Sequence, residues 1–266
     1  MERIQNEHIK VVFHNIGNGI TEPKLAMTNE NEMVVIKTNN GPEGTLVLFN
    51  EYLCYRLANL LGIPMPDSGV CIIDNDTEVY DKCVSERQLG YGFYSTYLNK
   101  SVVLVESIVP LINNKDDFYK ILLFDHIIFN TDRNPGNLLV QYYKNSVILW
   151  AIDHSHVFIN QAIWDARCLT TAMREKDYFS SKILEENNEL YSMFFRNISV
   201  GEKILCNYRN SFVDIITEDK LYDIVEEIPE EWLPAKDDID ALICYILYRI
   251  AHFDDICVTI LKYLGK

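Results

Sequence analysis

The chain has no run of about 18 consecutive apolar residues, so no segment of it reads as a membrane-spanning helix. Its first residues, "MERIQNEHIKVVF", lack the basic start, apolar stretch and small-residue cleavage site of a secretory leader. The expectation is therefore a cytoplasmic protein with no membrane partner. No C-x-x-C pair occurs. The seven cysteines (Cys54, Cys71, Cys83, Cys168, Cys206, Cys244 and Cys257) are scattered, odd in number and mostly set in apolar segments. This is the pattern of reduced thiols and not of a disulfide framework or a zinc site. Positive charge is scarce: 24 Lys and Arg against 39 Asp and Glu give a formal net charge of −15. Such a field works against nonspecific binding of nucleic acid or anionic lipid, so no direct nucleic-acid binding is expected. A local basic pocket is still compatible with it.

What is present is a chain of 266 residues, 48% of them hydrophobic, long enough for one large domain or two packed lobes. Residues 9–14, "IKVVFH", read as a strand, and "NIGNGITEPK" as a turn. "KLAM" and "EMVVIKT" read as the next strands. Residues 48–62 are the first clear helix, with Phe49, Leu53, Leu57 and Leu60 at helical spacing and Gly62 as a stop. "SGVCIID" and "EVYDKCVSE" suggest a strand pair. A buried helix is expected over 115–130, a hairpin over "NLLVQYY" and "SVILWAID", and further helices over 178–195, 200–217 and 237–263. A β-rich first part followed by a helical second part predicts an α+β, two-lobed fold, divided as 1–90 and 91–266, with a ligand cleft between the lobes.

Into this pattern falls "FNTDRNPGNLLV" (129–140), a polar loop between two apolar runs. Four features line up in chain order: the glycine turn Gly17-x-Gly19; Lys37 at the end of an apolar strand; Asp132 with Asn137 in the loop; and Asp153 at the end of "VILWAID". Taken singly, each has a plain reading as a hairpin turn, a surface lysine, an Asx turn or a strand cap. Together they supply what phosphoryl transfer from ATP needs. Small residues lie over phosphates, a strand lysine holds them, oxygen ligands bind Mg²⁺, and a carboxylate orients the attacking hydroxyl. The spacing from Asp132 to Asn137 matches a protein-kinase-like catalytic loop.

These segments resemble the HipA-like kinases of the protein-kinase-like superfamily. "EMVVIKT" is similar to the strand bearing their ATP-binding lysine. "FNEYLCYRLANLLGIPMPDSGV" resembles their first helix and its exit, and "FDHIIFNTDRNPGNLLV" their catalytic loop. "LWAIDHSHVF" resembles their metal-binding segment, and "EIPEEWL" with "YILYRI" their C-terminal region. The resemblance implies a protein-kinase-like fold with a β-rich N-lobe and a helical C-lobe. It implies Asp132 as the catalytic Asp, Asn137 and Asp153 as Mg²⁺ ligands, and Lys37 on the ATP phosphates. Around "CVSERQL" it implies a hinge, with Ser85 and Glu86 as candidates for contact with the nucleotide. It further implies ATP and Mg²⁺ as cofactors, a Ser/Thr residue of a protein as substrate, and a regulatory protein partner. Other chemistry on the same fold (a small-molecule or lipid kinase, a nucleotidyltransferase, or a non-catalytic binding module) stays open at this level.

Three neighbours of the motifs carry alternatives. Glu51 is expected either to pair with Lys37 or to act as a favourable acid near a helix start. Asp125, in a strongly apolar helix, is expected to accept hydrogen bonds from the loop or to lie on a solvent stripe. Ser155 stands where the resemblance leads one to expect glycine.

Overall fold

The computed structural model describes residues 6–17, 21–39, 44–80 and 88–266. The N-terminal part is built from β1 (Glu7–Asn15), β2 (Lys24–Thr28), β3 (Met33–Lys37), α1 (Leu46–Leu60), β4 (Ser68–Ile73), β5 (Glu78–Val79) and β6 (Gly90–Thr96). Its six strands form one sheet in the order β2-β3-β6-β4-β1-β5, and β1 also pairs with β2, so the pairing closes into a ring. Alternation along β3 and β4, with a register shift between Ile9 and Val11 in β1, puts Ile9, Val12, Ala26, Val34, Ile36, Cys71 and Ile73 together in a small core of their own.

Strand β6 lies between β3 and β4, so residues 90–96 belong to the N-terminal sheet and the chain leaves it after Thr96. That exit is fixed by the backbone N–H of Thr96, which donates to Asp67 O at 2.7 Å, and that of Tyr97, which donates to Met33 O at 2.9 Å. Within the sheet, a Cβ on Gly92 would stand 3.0 Å from Lys37 O and 3.2 Å from Cys71 Sγ, so a glycine there lets β6 lie close against β3 and β4. Helix α1 covers the sheet. It buries Phe49, Leu53 and Leu57, while Leu60 at its end is 38% exposed.

The second part begins with β7 (Ser101–Val103) and α2 (Asp117–Ile127), followed by β8 (Leu138–Tyr143) and β9 (Ser146–Ala151). Strands β7, β8 and β9 form a three-stranded sheet, and β8 and β9 make the expected hairpin. The rest is helical: α3 (Ala166–Arg174), α4 (Lys182–Glu186), α5 (Asn188–Phe195), α6 (Glu202–Cys206), α7 (Arg209–Val213), α8 (Glu218–Glu226), α9 (Lys236–Ala251) and α10 (Phe253–Tyr263). A large core joins α1 to α2, the small sheet and these helices. The chain is thus an α+β fold with a strand-rich N-terminal part and a helical C-terminal part.

The long helices expected over 178–195, 200–217 and 237–263 are each broken. Asn187 separates α4 from α5 and is buried, its side chain bonded to the loop before β8: it accepts from Arg133 N–H at 2.9 Å and donates to Asn130 O at 2.8 Å. His252 separates α9 from α10, stacked on Tyr178 with ring centroids 3.8 Å apart. Helices α3 and α8 were not foreseen. They are short, and side-chain caps start them: Asp165 accepts from Cys168 N–H at 2.8 Å and Thr217 from Lys220 N–H at 3.4 Å.

Candidate active site

The end of β3 delivers Lys37 into the space between the two parts. Its ammonium group donates to Glu51 Oε1, to Asp153 Oδ1 at 2.9 Å and to Ser155 Oγ at 3.0 Å. Glu51 lies in the second turn of α1, whose first turn holds no acid, so its role is the pairing with Lys37 and not a helix-start charge. Asp153 directly follows the exit from β9. Its backbone is left-handed (φ 59°), a conformation that costs a non-glycine residue about 1 kcal/mol and that Asp tolerates better than most. The neighbouring amides hold the segment: His154 N–H donates to Glu51 Oε2 at 3.1 Å and Ser155 N–H to Asp153 Oδ1 at 3.4 Å.

The loop after α2 is fastened from beneath. Arg133 and Asp125 are fully buried and paired, with Arg133 Nε 3.1 Å from Asp125 Oδ2 and its NH2 3.0 Å from Asp125 Oδ1. Asp125 also accepts from Asn130 Nδ2 at 2.9 Å and from Tyr191 OH at 2.9 Å. The carboxylate in the apolar helix is therefore the loop's anchor and not part of a solvent stripe. The remaining Arg133 donors reach Asn137 O at 3.2 Å, Ile152 O at 2.8 Å and His154 Nε2 at 2.6 Å. One guanidinium thus ties the Asp132 loop to the Asp153 segment. Asn130 Oδ1 accepts from Asp132 N–H at 2.9 Å, and Asn137 Nδ2 donates to Asp132 O at 2.6 Å. Pro135 and Gly136 close the loop in a short turn that Asn134 caps by accepting from Gly136 N–H at 2.9 Å.

A cavity of about 530 Å³ opens between the parts and contains Gly17, Lys37, Glu51, Asn137 and Asp153 in its wall. Its apolar lining includes Val35, Met65, Phe93, Leu139 and Ile152, and one side is the exit segment Ser95–Leu98. Flat apolar walls, one strand cation and oxygen donors at one end suit a nucleotide. Asp153 Oδ2 and Asn137 Oδ1 accept no hydrogen bond from the described residues. They are hard oxygen donors of the kind Mg²⁺ takes when waters and phosphates complete its shell. Among the described residues no group of three or more His, Cys, Asp or Glu forms a metal cage. A larger groove of about 730 Å³, near α3, contains none of these groups in its wall.

The charges follow from burial and pairing. Burial works to raise the Asp153 carboxyl, but Lys37 and the Ser155 hydroxyl outweigh it and hold the group well below the usual carboxylate range. Burial alone would lower the Lys37 ammonium, and the carboxylates of Asp153 and Glu51 reverse that and raise it. Burial raises Glu51 against the pull of Lys37. Asp132 is raised by burial and by the charge of Asp153, with His156, Arg133 and Asn134 opposing. Burial and the adjacent Arg133 keep His154 neutral, facing Arg133 and not the cavity.

The structure thus brings Lys37, Glu51, Asn137 and Asp153 to one cavity, with Gly17 (φ 76°) at its edge and Asp132 joined to Asn137 through the loop. Gly19, Ser85 and Glu86 lie outside the described residues. Asn50 and Trp164 were not foreseen, and Ser155, foreseen only as a departure from glycine, turns out to contact Lys37, Glu51 and Asp153. Asn50 Nδ2 donates to Ser155 O at 2.8 Å, and Trp164 Nε1 donates to Asn50 Oδ1 at 3.1 Å. Their only sequence signal is a buried amide beside Glu51 and the serine after "IDH".

Comparison with known proteins gives a family profile, described as HipA-like kinase, that matches residues 9–252. No curated protein matches the sequence. Among solved structures, the Helicobacter pylori proinflammatory kinase CtkA is 13% identical with a TM-score of 0.59, over 94% of each chain. The Golgi casein kinase with Mn/ADP bound is 13% identical with a TM-score of 0.52, over 94% of this chain and 74% of that one. Both likenesses are of fold.

Proposed function

The chain belongs to the HipA-like kinase family, and from that premise we propose that it transfers the γ-phosphoryl group of ATP, with Mg²⁺, to a Ser or Thr hydroxyl of a protein. The observation that carries the reading is the convergence of Lys37, Glu51 and Asp153 at the polar end of a cavity that Asn137 also lines. Val35, Met65, Leu139 and Ile152 would sandwich the base, and Gly17 would pass over the phosphates. Lys37, steadied by Glu51, would hold phosphate oxygens. Asn137 Oδ1 and Asp153 would hold Mg²⁺, which supplies charge neutralisation between the β- and γ-phosphates. Asp132 would orient the acceptor hydroxyl and take its proton as the new P–O bond forms and the bond to the β-phosphate breaks. A protein acceptor is supported by the family and by the name of the Golgi casein kinase among the fold neighbours.

The test is calorimetric titration of ATP with and without Mg²⁺, followed by incubation with cell extract and mass spectrometry of the modified product. Mg²⁺-dependent binding and a product carrying phosphate are expected. A product carrying a nucleotide, or no ATP binding, would overturn the proposal.

A further inference from the structure

Lys37 has three N–H donors, and all of them are taken: by Glu51 Oε1, Asp153 Oδ1 and Ser155 Oγ. In this state the ammonium has no donor left for a phosphate oxygen. Ser155 Oγ, fully buried, lies 2.6 Å from Asp153 Oδ1 and 2.9 Å from Glu51 Oε1. A hydroxyl has one proton, so it serves one of these acceptors at a time, and turning about its Cβ–Oγ bond moves the proton from one to the other with no heavy atom displaced. The oxygen itself is held in place. The Ser155 carbonyl accepts from Asn50 Nδ2 at 2.8 Å, and Asn50 is fixed in turn by Trp164.

We propose that Ser155 is a positioning residue whose hydroxyl donates to Asp153 when the site is empty and to Glu51 when Asp153 is engaged by a divalent cation. This rests on the function proposed above. When a cation on the Asp153 carboxylate draws Oδ1, the oxygen that both Lys37 and Ser155 contact, away from them, the Lys37 donor that faced it is released toward phosphate, while Glu51 and Ser155 still hold the other two. The serine therefore makes the availability of Lys37 depend on occupancy of the Asp153 carboxylate.

The experiment compares wild type, Ser155→Ala and Ser155→Gly for ATP affinity by calorimetry with and without Mg²⁺, and for kcat of transfer. Both variants free a Lys37 donor that serves the phosphate in the metal-free protein, whereas with Mg²⁺ the donor released from Asp153 already serves it. The ratio of the ATP dissociation constants without and with Mg²⁺ should therefore fall about tenfold, because one charged hydrogen bond becomes available. Both should also lose about tenfold in kcat as Lys37 loses a fixed partner. An unchanged ratio in Ser155→Ala overturns the proposal, and loss in Ser155→Gly alone would place the effect in the backbone. Asp132→Ala serves as the control: it should keep the wild-type ratio while losing transfer. Absence of ATP binding by wild type would overturn both this inference and the function it rests on, whereas wild-type transfer with an unaltered Ser155→Ala removes only the inference.

Discussion

At the scale of single residues, the account rests on two buried ionic centres that do different work. Arg133 and Asp125 are sealed from solvent, and every Arg133 nitrogen has a partner. Removing one member strands the other's charge. Arg133→Ala and Asp125→Ala should each cost about 3–5 kcal/mol, read as a lower urea midpoint. A change under about 1 kcal/mol in either would mean that the pair does not anchor the loop. Asp132 is only partly buried and is not a member of the Arg133–Asp125 pair, so Asp132→Ala should leave the unfolding midpoint close to wild type. The four residues that read directly from sequence (Lys37, Asp132, Asn137 and Asp153) are those whose spacing or strand-end position carries information locally. The contacts of Ser155 and Asn50 were illegible because their partners are far away in sequence: Ser155 lies 118 positions from Lys37 and 105 from Asn50.

At the scale of elements, α1 couples the parts. Its adjacent Asn50 and Glu51 grip the segment after β9, one through the Ser155 carbonyl and the other through Lys37 and the His154 amide. Close packing of β6 on β3 sets the height of Lys37 above this grip. A methyl group at position 92 meets the Lys37 carbonyl, so Gly92→Ala should displace β3, lower stability by about 1–3 kcal/mol and weaken ATP binding together. Stability loss with unaltered ATP affinity would separate the strand from the site. Elements with sustained apolar periodicity, such as α1 and α2, were legible, and so was the β8–β9 hairpin. The breaks at Asn187 and His252 were not, because each is imposed by a tertiary partner: the loop around Asn130 and Arg133 in one case, the Tyr178 ring in the other.

At the scale of the whole molecule, acid stability follows from buried neutral imidazoles. Burial pushes His126 down to about 3, against the bond of its ring to the Leu122 carbonyl. Its Nδ1 donates to Leu122 O at 2.8 Å, and Nε2 has no partner among the described residues. Because the folded pKa lies below the unfolded value, the unfolded chain takes up the proton first as pH falls. The stabilisation is complete above about pH 6.5 and declines toward pH 3, by up to about 1.4 kcal/mol per pH unit. His154, also lowered, acts in the same direction. The urea midpoint should drop between about pH 7 and pH 5, with a shallower slope in His126→Gln. A flat profile in wild type would contradict the neutral buried state. The α+β division was legible in the switch from strand to helix patterning, whereas the closing of the N-terminal strands into a ring depends on pairing of β1 with both β2 and β4, which no local pattern encodes.

The proposed phosphoryl transfer turns on Asp153 in the cavity wall and Asp132 in the adjoining loop. The most direct measurement is incorporation of label from γ-labelled ATP, with Mg²⁺ and cell extract, by wild type, Asp132→Ala and Asp153→Ala at matched folded concentration. The account predicts incorporation by wild type and a fall of about 10²–10⁴-fold in rate for each variant. Equal incorporation by wild type and either variant would contradict it.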